Sequence, residues 1–331
     1  MEIILSGDAG ATKTELALCK IVHTGISIIH SERYSSREFS SLEIILKDFL
    51  NKTNVKIDSV CIGAPGPLIN GKIISTNLPW LLDEKKLSRI LKIKNFKLIN
   101  DLETLAYSIG LLKNKDLITL HKGKTAGKAG HIAIIAPGTG LGQAALICDY
   151  DIGKYNVVPT EGGHSDFAPD NDLEYGLYKF LKKKNGHVSW ERVVSGMGIL
   201  NIYEYLVSTR KYSVSSSLKE RFKNEDKAAV ISSEAKKGKD KICMHVMEIF
   251  ISALGRQAGN MVMNFKATGG VYIGGSIPMK NITLLKNQIF MDSYLNKGRL
   301  SYLTEMTPVH VIKDKTSALK GAAYFSLMNK N

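Results

Sequence analysis

The stretch Leu98-Ile99-Asn100-Asp101-Leu102-Glu103 joins a predicted strand to a predicted helix. Apolar and β-compatible residues precede Asn100, and apolar residues at helical spacing follow over 102–112. Open α/β sheets place their chemistry at the carboxyl ends of strands, so Asp101 is a candidate to accept a proton from a substrate hydroxyl. Asn100 can hydrogen-bond a neighbouring hydroxyl. A plainer interpretation is that one of the two residues only caps the helix.

The composition is that of a chain long enough for two domains. It has 331 residues, and 44% are hydrophobic, which is enough for packed cores. The formal net charge is +14, but only eight of the 45 basic residues are arginine and the lysines are scattered. A nucleic-acid-binding surface is expected to interleave arginine with aromatic residues, so we expect a solvated lysine-rich surface and no nucleic-acid partner. Such a surface still attracts anionic substrates such as nucleotides.

The cysteines and the apolar runs indicate a cytoplasmic protein with no membrane partner. Cys19, Cys61, Cys148 and Cys243 lie far apart with no CxxC spacing. Three of them fall in apolar strand-like runs, so we expect buried free thiols and neither disulfides nor zinc ligands. The longest uncharged run, 132–148, is interrupted by a proline and three glycines, which does not suit a membrane span. The chain starts with a predicted strand in place of a signal sequence.

Two predicted strand–turn–strand segments carry small residues in the turn. The first turn region, 9–14, follows a predicted strand that ends in Asp8. The second, 137–142, lies between predicted strands at 131–136 and 143–148. Small side chains let backbone N–H groups approach phosphate oxygens, and a nucleotide clamped between two lobes needs two such turns. Asp8 can then hold Mg²⁺, through water. An ordinary hairpin turn is the alternative for each segment.

Two familiar nucleotide motifs are nearly matched but excluded. The segment 66–73 has P-loop spacing, but Ile73 replaces the required Ser or Thr and no helix pattern follows. The sequence G-T-G-L-G at 138–142 is not G-x-G-x-x-G, and no helix pattern follows it either. A predicted strand also ends in Gly274-Gly275, where a nucleotide can lie against the backbone, or where strand and helix simply join tightly.

Several polar residues elsewhere suit a sugar ligand. Glu161 and His164 lie on one glycine-containing loop, and a carboxylate with an imidazole suits sugar hydroxyls, which both donate and accept. Their spacing also matches a di-metal ligand pair on a helix, but the two glycines between them indicate a loop. Glu191 precedes another glycine turn, and the polar group 75–77 can line a sugar site. Taken singly, these positions are also typical of surface residues and strand ends.

Taken together, these stretches resemble the bacterial glucokinase family, which belongs to the hexokinase-type sugar kinases. The supporting stretches are GDAGATKTELAL (7–18), GAPGPL (63–68), NDLETLAYSI (100–109), APGTGLG (136–142), EGGHSDFAP (161–169), ERVVSGMGILNIYE (191–204) and GGVYIGGSIP (269–278). The combination of E-G-G-H-x-D-F-A-P with E-R-V-x-S-G is specific. The related ROK family carries a cysteine-rich zinc motif after its histidine, and no cysteine lies between Cys148 and Cys243 here.

The resemblance implies a two-lobed α/β fold of the actin-like ATPase (ribonuclease H-like) type, with the active site in the cleft between the lobes. The small lobe would comprise 1–109 with 316–331, and the large lobe 110–315. The implied activity is phosphorylation of glucose at its 6-hydroxyl, with ATP as donor and Mg²⁺ as cofactor. The family also implies a homodimer.

The resemblance further implies a role for each matched position. Asp101 would be the general base, and the sugar ligands would be Asn77, Asn100, Asp101, Glu161, His164 and Glu191. The phosphate-binding turns would comprise Asp8, Gly10, Thr12, Gly138, Thr139 and Gly140. Gly274 and Gly275 would approach the nucleoside, and Asp8 would hold Mg²⁺, through water.

Three positions depart from the family pattern, which usually has Gly, Asn and Arg where this chain has Ala11, Lys13 and Glu15. Ala11 is compatible with the turn if its φ is negative, and Lys13 and Glu15 can pair on one side of a strand. The change removes a positive charge near the phosphates, which bears on nucleotide affinity and on the choice of phosphate donor. Thr-Lys-Thr is also similar to N-acetylglucosamine kinases of the same superfamily. A sugar-binding regulator without catalysis is a further alternative, against which Asp101 argues.

Overall fold

The computed structural model describes residues 2–23, 25–74, 78, 80–124 and 129–329. The chain forms two compact units. The first unit consists of Met1–Asp116 with Asp314–Asn331, and the second of Leu117–Lys313. Asn77, a predicted sugar ligand, lies outside the described residues.

The first unit is built on a sheet of mixed direction. Its strands are β1 (Ile3–Ala9), β2 (Lys13–Val22), β3 (Gly25–Ser35), β4 (Ser59–Ala64) and, further along the chain, β8 (Phe96–Asn100). Among the described residues these five strands lie in the order β3-β2-β1-β4-β8. β1, β4 and β8 are parallel, whereas β2 pairs antiparallel with both β1 and β3. A small separate sheet contains β5 (Leu68–Ile69), β6 (Lys72–Ile73) and β7 (Leu82–Asp83).

The helices of the first unit pack on its sheet and on one another. They are α1 (Leu42–Thr53), α2 (Glu84–Leu91), α3 (Asp101–Ser108) and the last helix of the chain, α13 (Ser317–Met328). α3 is shorter than the predicted 102–112 and continues as a 3₁₀ turn at Ile109–Leu111. α13 packs closely on α3. The two helices are so close that a Cβ at Gly321 would lie 1.7 Å from the carbonyl oxygen of Thr104. Glycine therefore permits a helix contact that any larger residue would push apart.

The second unit repeats the strand arrangement of the first. Its strands are β9 (Leu117–His121), β10 (Ile132–Pro137), β11 (Leu141–Asp149), β12 (Lys154–Thr160), β13 (Gly270–Ile273) and β14 (Val309–Ile312). Among the described residues these six strands follow the order β12-β11-β10-β13-β14-β9. β10, β13 and β14 are parallel, and β11 pairs antiparallel with β10 and β12. Both sheets therefore contain three consecutive antiparallel strands, β1–β3 in the first sheet and β10–β12 in the second. In each sheet, two later strands run parallel to the first of the three.

Helices of the second unit pack around one long buried helix. They are α4 (Asp172–Asn185), α5 (Gly196–Ser208), α6 (Ser216–Asn224), α7 (Lys227–Lys237), α8 (Lys241–Phe265), α9 (Ser276–Lys280), α10 (Ile282–Leu285), α11 (Gln288–Leu295) and α12 (Ser301–Met306). α8 packs against α5, α7, α11 and β10, and its apolar side chains form much of the core. Further 3₁₀ turns lie at Ser36–Glu38, Asn114–Asp116, Gly162–His164, Trp190–Arg192 and Gly298–Leu300.

Two expectations about the whole chain can be compared with the structure. The four cysteines are free and buried, as predicted. Within the described ranges, no helix combines the length and the apolar character needed to cross a membrane.

Candidate active site

The first turn, defined as Gly10–Thr12, connects β1 to β2 and is fastened by Ser36, the residue that directly follows β3. The Ser36 hydroxyl donates to the carbonyl oxygen of Gly10 at 2.7 Å, and its backbone N–H donates to the carbonyl oxygen of Thr12 at 3.1 Å. The Thr14 hydroxyl lies 2.9 Å from the Ser36 hydroxyl. Because the single hydroxyl proton of Ser36 goes to Gly10, Thr14 is the donor in this pair. A chain of two buried hydroxyls thus holds the turn.

Asp8 is the last residue but one of β1, two positions before the first turn, and it is half-buried. Burial raises the pKa of the Asp8 carboxyl above its ordinary value, Lys13 opposes this effect, and Glu15 adds to it. A bound cation would favour the ionised form that burial disfavours. Carboxylate oxygens are ligands that Mg²⁺ prefers, so the chemistry of Asp8 fits a magnesium site beside the turn.

Two of the residues that depart from the family pattern, Lys13 and Glu15 of β2, form an ion-pair cluster with Arg33 of β3. Lys13 Nζ lies 3.6 Å from Oε2 of Glu15, which confirms the predicted pair. Arg33 faces Glu15 in the strand register, and its Nη2 lies 3.2 Å from the same oxygen. Two cations therefore share one carboxylate, and Asp8 is opposite Glu15 in the register of β1 and β2. Ala11 is outside the left-handed region, so the missing glycine causes no backbone strain there.

Asn100 ends β8, and Asp101 begins α3. Asn100 Oδ1 accepts the Leu102 N–H at 2.8 Å, and its Nδ2 donates to the carbonyl oxygen of Gly66 at 3.1 Å. Asn100 therefore caps α3, whether or not it also binds a ligand. Asp101 Oδ1 also accepts the Leu102 N–H, at 2.9 Å. The amino end of a helix favours a negative charge at this position.

Asp8 and Asp101 share one edge of the first sheet. The parallel register aligns Asp8 with Gly63, and Gly63 with Ile99. Since neighbouring strands are about 4.8 Å apart, the backbone of Asp8 lies roughly 10 Å from that of Ile99, two residues before Asp101. Gly63 also lets α3 approach, because a Cβ there would lie 2.5 Å from Cγ2 of Thr104. The first unit therefore gathers a candidate base, a candidate cation ligand and the first turn at one edge.

The second turn, defined as Gly138–Gly140, connects β10 to β11 and is fastened by a carboxylate. A 2.8 Å hydrogen bond between its first N–H and its last carbonyl closes it, and the Gly196 N–H at the start of α5 donates to its first carbonyl at 2.9 Å. Glu191 Oε2 accepts the Leu141 N–H at 2.9 Å. A Cβ on Gly140 would lie 2.4 Å from that same oxygen. The absence of a side chain at 140 therefore lets the carboxylate reach the backbone.

Three predicted sugar ligands lie close to the second turn. Glu161 directly precedes the 3₁₀ turn after β12, His164 is the last residue of that turn, and both are exposed. That turn packs against the next 3₁₀ turn, which carries Glu191. Gly163 lies against the start of β11, so close that a Cβ there would be 2.0 Å from the carbonyl oxygen of Leu141. The structure thus brings Glu161, His164 and Glu191 together within the second unit.

The predicted nucleoside-facing glycines directly follow β13. The Gly274 N–H donates to the carbonyl oxygen of Ile135 on β10 at 2.8 Å. Gly275 has a φ of +85°, and a Cβ there would lie 2.5 Å from the carbonyl oxygen of Pro137. Both conditions require glycine. Gly274 and Gly275 therefore lie beside the second turn.

A buried polar network behind Glu191 was not predicted from the sequence. Arg256 of α8 donates from Nη2 to Oε2 of Glu174 at 2.5 Å, and its guanidinium lies 5.9 Å from the ring centre of Trp190. Lys297 donates to the carbonyl oxygen of Arg256 at 3.1 Å, and burial, with Arg256 nearby, lowers the pKa of Lys297 to about 8. Because Trp190 directly precedes Glu191, this network supports the turn that carries the carboxylate.

Two further residues were also missed, Ser36 and Arg33. Ser36 acts on a carbonyl 26 positions earlier in the chain. Arg33 reaches Glu15 across a strand pair. The alternation of β3 could have placed Arg33 on one face of the strand, but its partner depends on the register.

The fold is that of the sugar kinases of the actin-like ATPase type. A family model described as Glucokinase matches residues 5–329. The glucokinase of Trichormus variabilis is 38% identical over 340 residues, which cover 98% of each chain. The chain belongs to the glucokinase family, and the predicted resemblance is confirmed.

Solved structures agree with this assignment. The crystal structure of a glucokinase from an Antarctic psychrotroph superposes with a TM-score of 0.85 at 27% identity, covering 99% of this chain and 100% of that one. A ROK family glucokinase from Streptomyces griseus, solved in complex with glucose and AMPPNP, shares the fold with a TM-score of 0.65 at 18% identity, over 99% of this chain and 100% of its own.

Proposed function

We propose that this chain transfers the γ-phosphoryl group of ATP to the 6-hydroxyl of glucose. The chain belongs to the glucokinase family, and one observation supports this activity in particular. Asp101 starts α3 at the end of the sheet where Asp8 and the first turn also lie. The fold relative from Streptomyces griseus holds glucose together with AMPPNP, a pair of ligands that matches the proposed substrates.

In the proposed mechanism, Asp101 accepts the proton of the 6-hydroxyl as that oxygen attacks the γ-phosphorus of ATP. The new O–P bond forms while the bond from the γ-phosphorus to the bridging oxygen breaks, and ADP leaves with that electron pair. Asn100 hydrogen-bonds a neighbouring hydroxyl and fixes the sugar beside the base. The reaction requires little covalent chemistry from the protein, so positioning and charge stabilisation dominate.

Residues of the second unit would read the other sugar hydroxyls. Glu161 and Glu191 accept hydrogen bonds, and His164 donates or accepts one according to its tautomer. Asn77 is a further proposed ligand. A sugar that lacks a matched hydroxyl would leave a buried polar group unpaired, at a cost of about 1–3 kcal/mol. We therefore propose that glucose is preferred over galactose and over N-acetylglucosamine.

The two turns would bind the phosphates through their backbone N–H groups. Gly10 and Thr12 belong to the first turn, Gly138, Thr139 and Gly140 form the second, and Gly274 with Gly275 would lie against the nucleoside. Asp8 would hold Mg²⁺ through water, and the cation would supply neutralisation of the phosphate charge. A cytoplasmic location and a homodimer stay predictions.

A coupled ADP-release assay across a panel of hexoses tests the proposal. With ATP as donor, kcat/KM for glucose should exceed that for galactose and N-acetylglucosamine by roughly 10- to 100-fold, as the loss of one matched hydroxyl implies. Equal or better turnover of N-acetylglucosamine would favour that alternative within the superfamily. Sugar binding without any ADP release would favour the sugar-binding regulator.

A further inference from the structure

Glu191 touches more than the proposed sugar site. Its Oε2 accepts the Leu141 N–H at 2.9 Å, directly after the second turn, although the two residues are 50 positions apart in the chain. The same oxygen occupies the space that a Cβ of Gly140 would fill, at 2.4 Å. The carboxylate of Glu191, a predicted sugar ligand, thus also holds the predicted phosphate-binding turn in place.

We propose that the second turn positions Glu191 for the sugar, so that Gly140 determines glucose affinity without touching glucose. The Leu141 N–H holds Oε2 in a charge-assisted hydrogen bond, which is stronger than one between neutral groups. This bond fixes the carboxylate plane and directs Oε1 to a sugar hydroxyl. The inference rests on the proposed function, because it takes Glu191 to be a sugar ligand.

The chain offers a matched pair of glycine substitutions. A Cβ at Gly140 collides with the tip of the Glu191 side chain, whereas a Cβ at Gly110 meets no atom within 4 Å. The tip of a glutamate moves at little cost, so Gly140→Ala should fold and should displace the carboxylate. Neither glycine has a positive φ, so both substitutions reduce the freedom of the unfolded chain similarly. The pair therefore differs mainly in the contact with Glu191.

The experiment measures glucose affinity by titration calorimetry without nucleotide, for the unmodified protein, Gly140→Ala, Gly110→Ala, Glu191→Ala, and Gly140→Ala combined with Glu191→Ala. We expect Gly140→Ala to weaken glucose binding by roughly 10- to 100-fold, the worth of a hydrogen bond to a charged group. Gly110→Ala should keep the glucose Kd within about twofold. In the Glu191→Ala background, Gly140→Ala should have no further effect, because the group through which it acts is gone.

The outcomes separate this inference from the proposed function. If Glu191→Ala weakens glucose binding but Gly140→Ala does not, the inference is wrong and the sugar ligand stands. If Glu191→Ala leaves glucose binding unchanged, Glu191 is not a sugar ligand and both statements fail. Should Gly140→Ala not fold, ¹⁵N-leucine labelling of the full chain decides the question. The Leu141 amide signal should shift in Glu191→Ala and on saturation with glucose, and a signal unaffected by glucose would overturn the inference.

Discussion

The two turns are built on the same strand arrangement but are fastened by different chemistry. In the first unit, the neutral hydroxyl of Ser36 holds the carbonyl of Gly10 and in turn accepts a hydrogen bond from the hydroxyl of Thr14. In the second unit, the carboxylate of Glu191 holds the N–H of Leu141. The hydroxyls are buried and have no predicted contact with a substrate, whereas Glu191 is a predicted sugar ligand.

Turns of similar structure can therefore serve separate functions. The first turn is fastened independently of the sugar, so a change in its fastening should affect the nucleotide alone. The second turn shares its fastening group with the proposed sugar site, so a change there should affect both substrates. Substitutions that remove the contacts of one turn at a time can show which substrate each turn serves.

The largest effect is expected from a substitution that changes neither turn, so it is the reference for the smaller effects below. Asp101→Asn should lower kcat by roughly 10²–10⁴-fold, the usual worth of a positioned general base. The glucose Kd should change little, because the amide keeps the shape of the side chain and can still hydrogen-bond the sugar. ADP-release kinetics together with calorimetry check this prediction. Near-native turnover would show that another group takes the proton.

An intermediate effect is expected at the fastening of the first turn. Ser36→Ala leaves the Gly10 carbonyl and the Thr14 hydroxyl without their buried partner, which costs about 1–3 kcal/mol. KM for ATP should rise by roughly tenfold, while the glucose Kd measured without nucleotide stays the same. Steady-state kinetics and calorimetry supply the two numbers.

Ser35→Ala is the matched control for that substitution. Ser35 is exposed, and its side chain makes no capping hydrogen bond at the start of the following 3₁₀ turn. Its removal should leave both KM for ATP and the glucose Kd unchanged. An equal loss of glucose affinity in Ser36→Ala would contradict the separation of the two turns.

The smallest expected effect concerns stability and pH at the start of the first turn. Burial raises the pKa of Asp8 in the folded chain, so the ionised carboxylate destabilises the fold once the pH rises through that pKa. Asp8→Asn should therefore raise the melting temperature at neutral pH, and the gain should disappear at pH values below the ordinary pKa of aspartate. Melting curves of both proteins without Mg²⁺ between pH 3 and pH 8 test this. A lower melting temperature for Asp8→Asn at neutral pH would argue against the burial effect.

Local sequence patterns were sufficient to locate the elements that carry the proposed site. The spacing of small residues predicted both turns, and the polar residues after apolar runs predicted that Asp8 and Asp101 lie at strand ends. The Lys13–Glu15 pair followed from alternation along one strand. Each of these features depends on residues that are neighbours in the chain. The family resemblance then supplied the roles.

The fastening groups could not be predicted in the same way. The partners Ser36 and Gly10 meet because β3, β2 and β1 are adjacent in the sheet, and periodicity gives neither sheet order nor register. Glu191 and Leu141 meet only once the 3₁₀ turns pack on β11. The end of α3 was also missed, because the apolar spacing continues through the 3₁₀ turn at Ile109–Leu111. Tertiary packing determines such contacts.

The most direct test of the difference between the two turns is the mutual effect of glucose and a non-hydrolysable ATP analogue on each other's binding. In the unmodified protein, each ligand should tighten the other by the same factor, of the order of 5- to 150-fold, because linkage is reciprocal. That factor should fall towards one in Gly140→Ala and persist in Ser36→Ala, whatever the analogue's own affinity. A factor that persists in Gly140→Ala and is lost in Ser36→Ala would contradict the account.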